Sequence, residues 1–325
     1  MLVMAGAGVH RKVPLREVKW PERTRHGVRI AHFRSGGSVQ CSDAQAWDAW
    51  RLAGGMVEPL VVRMQQSWRW VLASVVALAV MAVVIQQWGV PAMARMVVAS
   101  TPLAVDKTLG AGSLRAIDSR LMQPSRLPTE RQDKLRKALS QAVSNLPAGS
   151  VPAWELVFRK SRIGPNAFAL PGGTLVMTDE LVDLVDGDEE VLVAVLAHEL
   201  GHVRHRDGLR MLVQTAALGG LASMVVGDFS TVLAGVPVLL GQASYSRQAE
   251  HEADVEAVRI FRAARISPLV MVKLFDRLSA SKAAPSKDAD GGKGDAGLQD
   301  SWLGIAFASH PADAERIRYF TEAAQ

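Results

Sequence analysis

Apolar residues are spread unevenly along this chain, and their spacing divides it. From Trp70 to Ile85 the sequence WVLASVVALAVMAVVI carries no charge on any face. With the flanking Trp68, Gln86, Gln87 and Trp88 it reaches the length that crosses a bilayer. An all-round apolar helix bracketed by tryptophans and preceded by Arg63 and Arg69 reads as one transmembrane anchor over 68–88. Ahead of it, residues 1–62 are charged and broken by Gly and Pro. There Gly27–Phe33 and Ser38–Cys41 read as short strands about a Ser35-Gly36-Gly37 turn, which predicts a small β-containing module.

Behind the anchor, 89–127 reads as a connecting segment and 128–325 as a domain. Thr129 after Pro128 is placed as the N-cap of a helix whose apolar positions Leu135, Ala138, Leu139, Ala142, Val143 and Leu146 recur at helical spacing. Trp154–Arg159 and Thr174–Met177 read as strands, and Thr178 caps a short helix. The acidic run Asp186–Glu190 then opens a helix carrying Val191, Leu192, Val195 and Leu196. A second apolar region, Leu209–Gly241, is interrupted at Gly219-Gly220, Gly227-Asp228 and Pro237. It is either a pair of short membrane helices or a hydrophobic hairpin packed on the domain. Ser279–Asp300 has almost nothing to bury and reads as a disordered loop. The expected class is α+β, mostly helical with a small sheet.

Charge narrows the options. The 37 Lys and Arg against 32 Asp and Glu leave a formal +5 without dense single-sign runs, which argues against a nucleic-acid partner. The single cysteine, Cys41, excludes an internal disulfide and a paired-thiolate metal site. Eleven basic residues between Arg11 and Arg69 favour a cytoplasmic N-terminus and an extracytoplasmic domain, although near the span Arg63 and Arg69 are almost balanced by Arg95 and Lys107.

Residues 198–202 read His-Glu-Leu-Gly-His. Two histidines four apart on a helix share one face, so His198 and His202 can reach one tetrahedral zinc. Glu199 is badly placed to share that metal but well placed to take a proton from a water on it, which makes it the candidate general base. The segment Ser246–Asp254 supplies a third ligand in helical register. Glu250 can ligate, and Asp254, one turn on, can orient a ligand histidine from behind. If residues on both sides of 209–241 hold one metal, that region crosses a membrane an even number of times.

HELGH, then SRQAEHEAD, preceded by NAFALPGG and followed by Ser309-His310-Pro311 and Arg316-Ile317, resembles the zinc peptidase family of HtpX and the CaaX prenyl endopeptidases over roughly residues 120 to 322. The resemblance implies one zinc per chain held by His198, His202 and Glu250, with Glu199 as base and protein or peptide substrates. It also implies an edge strand within Asn166–Thr178 that holds extended substrate by its backbone, with Asn166, Phe168 and Leu170 as its residues. In some periplasmic relatives the histidine of the His-Pro element fills the open zinc position, which makes His310 a candidate fourth ligand or gate. Arg247 and His310 are candidates for stabilising the oxyanion, while His205 and His251 are read as structural. The family's multi-pass members differ from this single-anchor arrangement, so prenylated substrates are not expected. The reading is a bacterial inner-membrane, single-pass zinc endopeptidase of envelope or membrane protein quality control, facing the periplasm. A non-proteolytic assembly factor that retains a zinc site is the alternative.

Overall fold

The computed structural model describes residues 2–6, 8–20, 28–56, 67–162, 164–226, 245–283, 310 and 313–325. The chain forms two units, 1–84 and 85–325.

In the first unit, β1 (Leu2–Gly6) and β2 (Val9–Val13) form an antiparallel hairpin, and β3 (Val18–Lys19), β4 (Arg29–Phe33) and β5 (Ser38–Cys41) form a three-stranded antiparallel sheet. Strand β4 alternates as a half-buried strand should, with Ala31 and Phe33 inward and His32 outward. Leu2, Val13, Val18, Ala31 and Phe33 make the core. The two expected strands are present. The β1–β2 hairpin and helix α1 (Ala44–Ala53), capped by the Asp43 carboxylate on the amides of Gln45 and Ala46, were not foreseen.

Helix α2 (Trp68–Ser100) is long and apolar enough to cross a membrane, and none of its first 17 residues, Trp68–Val84, is buried. It continues past the expected end at Trp88. Gly89 and Pro91 do not end it: a π-turn over Ile85–Gly89 absorbs the missing proline donor and its ring, and the helix resumes at Val90.

The second unit begins inside α2, whose Val90, Ala94 and Val98 are buried. There follow α3 (Leu103–Arg120), β6 (Met122–Pro124), α4 (Thr129–Ser144), β7 (Glu155–Ser161), β8 (Ala167–Ala169), β9 (Thr174–Thr178) and α5 (Asp179–Leu184). Then come α6 (Glu189–His205), α7 (Asp207–Val226), α8 (Arg247–Ala264), α9 (Leu269–Ala283) and α10 (Ala314–Ala323). The sheet order is β6-β7-β9-β8, with β7 and β9 parallel and the other pairs antiparallel. Segment 89–127, read as a connector, thus supplies α3 and an outer strand. Gly110 of α3 lies so close to the loop after β8 that a Cβ there would sit 1.9 Å from the Pro171 carbonyl oxygen, so only glycine fits.

Helix α6 is central, with every residue from Val191 to His202 buried among α4, α8, α9 and the sheet. Asp188 caps it by accepting from the Val191 amide. It ends at Arg206, a non-glycine residue in the left-handed region at φ 54. The cost of that conformation is offset by the Arg206 guanidinium, which donates to the carbonyls of Val98 (2.7 Å) and Thr101 (2.9 Å) and pairs with buried Asp106.

Three expectations change in detail. Thr129 is the first helical residue, and Pro128 occupies the cap position with no side-chain bond, because proline's fixed φ suits that entry. The first arm of the apolar region 209–241 is helix α7, packed on the Val90–Ser100 part of α2; its second arm lies outside the described residues. Of the stretch 279–300, residues 279–283 complete α9, and 284 onward lie outside the described residues.

Candidate metal centre

Two helices build the centre, and their spacing is set by the smallest residues at the crossing. A Cβ on Gly201 would lie 2.6 Å from Ala253 Cα, so α6 and α8 touch backbone to backbone there. Glu250 and Asp254 flank Ala253 on α8, and His198 and His202 flank Gly201 on α6. The close crossing therefore brings both pairs to one point.

The donors that converge are His198 Nε2, His202 Nε2, Glu250 Oε1 and His310 Nδ1. His198 Nε2 lies 3.2 Å from His202 Nε2 and 3.3 Å from His310 Nδ1. Glu250 Oε1 lies 2.9 Å from His310 Nδ1 and 3.6 Å from His202 Nε2. Ligands placed about 2.0–2.1 Å from a tetrahedral zinc stand roughly 3.3–3.4 Å from one another, so these separations fit a four-coordinate zinc, and the imidazole and carboxylate donor set suits that metal. The residues present fit the ion.

Behind each α6 histidine stands a carboxylate. Asp254 Oδ1 is 2.8 Å from His198 Nδ1, and Asp207 Oδ2 is 2.9 Å from His202 Nδ1. Asp207 accepts the Nδ1 proton of His202, and Asp254 stands at ion-pair distance from Nδ1 of His198, so in both rings Nε2 is the atom turned toward the metal site. Each carboxylate is held in turn by an arginine. Buried Arg316 clasps Asp254 through two bonds of 2.7 Å and reaches Glu250 at 2.8 Å, while Arg210 meets Asp207 at 3.0 Å. Without the metal, burial works against charge on His198, but Asp254 and Glu250 outweigh it and raise its pKa. For His202, burial is again opposed, by Asp207 and Glu250, and the pKa is raised to about 10. Burial would raise the carboxyls of Glu250 and Asp254, yet the histidines and Arg316 hold both well below the usual range.

Glu199 is buried beside the cluster, with Oε1 3.4 Å from His310 Nε2 and Oε2 without a hydrogen-bond partner among the described residues. A narrow cavity of about 50 Å³ opens against it and His198, walled by Ala167, Leu181, Val195, Met271, Leu274 and Phe275. Strand β8 is the sheet's edge, as the resemblance implied, but parity differs. Thr178 N donates to Asn166 O and Leu170 N to Thr174 O, so Asn166, Phe168 and Leu170 use their backbone on β9, and the side chains of Phe168 and Leu170 are buried in the core. The peptide groups facing away from β9 belong to Ala167 and Ala169.

Of the other expected residues, Arg247 is exposed at the start of α8, and His251 is exposed and stacks edge-on to Tyr319. Two residues of the centre were missed. Asp207 carries a faint signal, an acidic residue where one helix stops and the next begins. Tyr245, stacked on the His202 ring with centroids 4.0 Å apart, carries none.

A HExxH helix crossed by a second helix that brings a glutamate ligand is the arrangement of gluzincin-type zinc peptidases. Residues 129–324 match the family model described as peptidase family M48, and residues 1–54 match one described as a domain of unknown function (DUF7092). The chain belongs to peptidase family M48. It is 30% identical over 177 residues to the mitochondrial metalloendopeptidase OMA1 of Schizosaccharomyces pombe, covering 52% of this chain and 46% of that protein. It is 28% identical to a protease HtpX homolog of Acidiphilium cryptum, covering 50% of this chain and 65% of the relative. The protease HtpX of Legionella pneumophila is also 28% identical, over 47% of this chain and 64% of its own length. The chain thus spans between about half and two-thirds of the length of these relatives.

Proposed function

We propose that this chain is a membrane-tethered zinc metalloendopeptidase. The observation that carries the reading is the buried, uncommitted carboxylate oxygen of Glu199 beside a three-residue ligand set whose histidines are each oriented by their own carboxylate. A zinc ion bound there supplies Lewis-acid activation of water and of the scissile carbonyl. Glu199 takes the proton from the attacking water and delivers it to the departing amine. The peptide groups of Ala167 and Ala169 face away from β9 and are themselves buried, so an extended substrate that adds as a strand to this edge must first displace what covers them. The apolar cavity beside Glu199 receives a side chain next to the scissile bond.

His310 closes this arrangement. Its Nδ1 lies among the donors that would hold zinc and its Nε2 faces Glu199, so one imidazole would cover both the metal and the base. Withdrawal of His310 is required before water and substrate enter. Substrates are taken to be misfolded or damaged envelope or membrane proteins. The orientation is N-terminus in the cytoplasm and centre in the periplasm, in the inner membrane of a bacterium. Cys41, the sole thiol, tests this: it should resist a membrane-impermeant maleimide in intact spheroplasts and react after lysis. Labelling before lysis would reverse the topology.

The deciding experiment compares wild type, Glu199→Gln and His310→Ala in detergent, with zinc content and casein cleavage measured on each. Zinc at one per chain in all three, cleavage lost in Glu199→Gln and raised in His310→Ala, is the expected result. The closed four-donor set favours a second reading, an assembly factor that keeps its zinc shut. Zinc in all three with cleavage in none would support it.

A further inference from the structure

The centre has a base, three metal ligands and His310 as a gate, but among the described residues no uncommitted charged side chain for the oxygen that gains negative charge as the scissile carbonyl is attacked. The charged donors around it are engaged. Arg316 is spent on Asp254 and Glu250, and Arg210 on Asp207. Arg247, a candidate from the sequence, is exposed at the head of α8.

Tyr245 stands differently. It sits just before Ser246, whose hydroxyl caps α8 on the Ala249 amide, so its backbone is anchored by the same helix that carries Glu250. Its ring lies nearly parallel to that of His202, at 17° with centroids 4.0 Å apart, and 5.6 Å from the His310 ring. Its phenolic oxygen is shielded from solvent and has no hydrogen-bond partner among the described residues. A buried hydroxyl left unpaired is costly, and a folded protein keeps one where something else is to bind.

We propose that Tyr245 is a catalytic residue that donates a hydrogen bond from its phenol to the developing oxyanion of the scissile carbonyl. The inference rests on the peptidase reading. Stacking on His202 holds the ring rigidly against one metal ligand, the preorganisation that makes such a donor effective.

The test is Tyr245→Phe, made in both the wild-type and His310→Ala backgrounds, since phenylalanine keeps the stack and removes only the hydroxyl. Five quantities are measured: zinc content, kcat and KM on a peptide, affinity for a phosphinic peptide carrying a tetrahedral oxyanion, and affinity for a thiol peptide of the same sequence that carries none. Expected are full zinc, kcat down by about 10²-fold with KM within about twofold, phosphinic affinity down by a similar factor and thiol affinity unchanged. Equal phosphinic affinity in Tyr245→Phe and its parent would overturn the proposal. So would parallel losses of zinc and of both inhibitors, which would make Tyr245 a packing support for His202. If neither parent cleaves peptide although zinc-loaded, the peptidase reading fails by itself, and the phosphinic-to-thiol comparison still decides the role of Tyr245.

Discussion

Helices α2 and α6 are both apolar on every side over most of their length, yet they end in opposite environments. Val191–His202 of α6 is wholly buried inside the second unit, while Trp68–Val84 of α2 is wholly exposed. The difference lies in what polar groups each carries. Helix α6 holds His198, Glu199 and His202, which only a protein interior with partners can accommodate, and it has them in Asp254, His310 and Asp207. Helix α2 offers only the Ser74 hydroxyl to pair between Val71 and Ile85 and keeps its tryptophans at the ends of that run, the pattern that suits a span. The apolar pattern alone says only that a helix avoids water; the polar exceptions say what replaces it.

A charge placed in each helix should separate the two environments most sharply. Leu196→Arg, which puts a charge at a fully buried core position, is expected to abolish folding, read as loss of the thermal transition and of zinc. Val76→Arg should cost about 2.5–3.5 kcal/mol of membrane insertion, read as protein shifting to the soluble fraction, with zinc content intact. An unaltered membrane fraction for Val76→Arg would mean that α2 is no anchor.

The next effect concerns the partners that α6 has and α2 lacks. Asp207→Asn and Asp254→Asn should each weaken zinc by about 10–100-fold in competition with a chelator, since each frees one ligand imidazole to turn. Asp254→Asn should be the worse, because it also strands the Arg316 guanidinium. Gly201→Ala should destabilise by about 1–3 kcal/mol in chemical unfolding and loosen zinc, as the added methyl meets Ala253 backbone. A change of less than a few tenths would show that the two helices can slide apart.

The smallest effect is on protons. In the zinc-free protein His202 is raised to about 10 from an ordinary 6.5, so at pH 7 it is charged, and zinc must displace that proton. Zinc uptake at pH 7 should release about one proton from His202, measured by calorimetry in buffers of different ionisation heat, and apparent affinity should climb with pH until about 10. The sign for stability is opposite: charged His202 stabilises the zinc-free fold, fully so below pH 6.5, and that contribution is lost as pH rises through about 10. Zinc affinity flat between pH 6 and 8 would remove the charged His202 from this account.

What the sequence alone determined is what short range can encode. The helix long and apolar enough to cross a bilayer was legible because its run of apolar residues is unbroken, although it extends past the expected 88 to Ser100. His198 with His202, and Glu250 with Asp254, were legible because helical periodicity puts residues four apart on one face whatever surrounds them. The Asp188 start of α6 and the Thr178 cap of α5 followed from local backbone hydrogen bonding. Tertiary structure decided everything that depends on where elements meet. The Gly201–Ala253 crossing joins two legible half-sites into one. Asp207 is chosen over other acidic residues only because α7 turns back beside His202, and Tyr245 is chosen because α8 begins there. His310 comes from beyond α9 to the cluster of donors, and β8 turns the peptide groups of Ala167 and Ala169 away from β9 because its register uses their neighbours. Periodicity fixes which residues share a face, but the packing of two faces depends on contacts between residues far apart in the chain, and no local pattern records those.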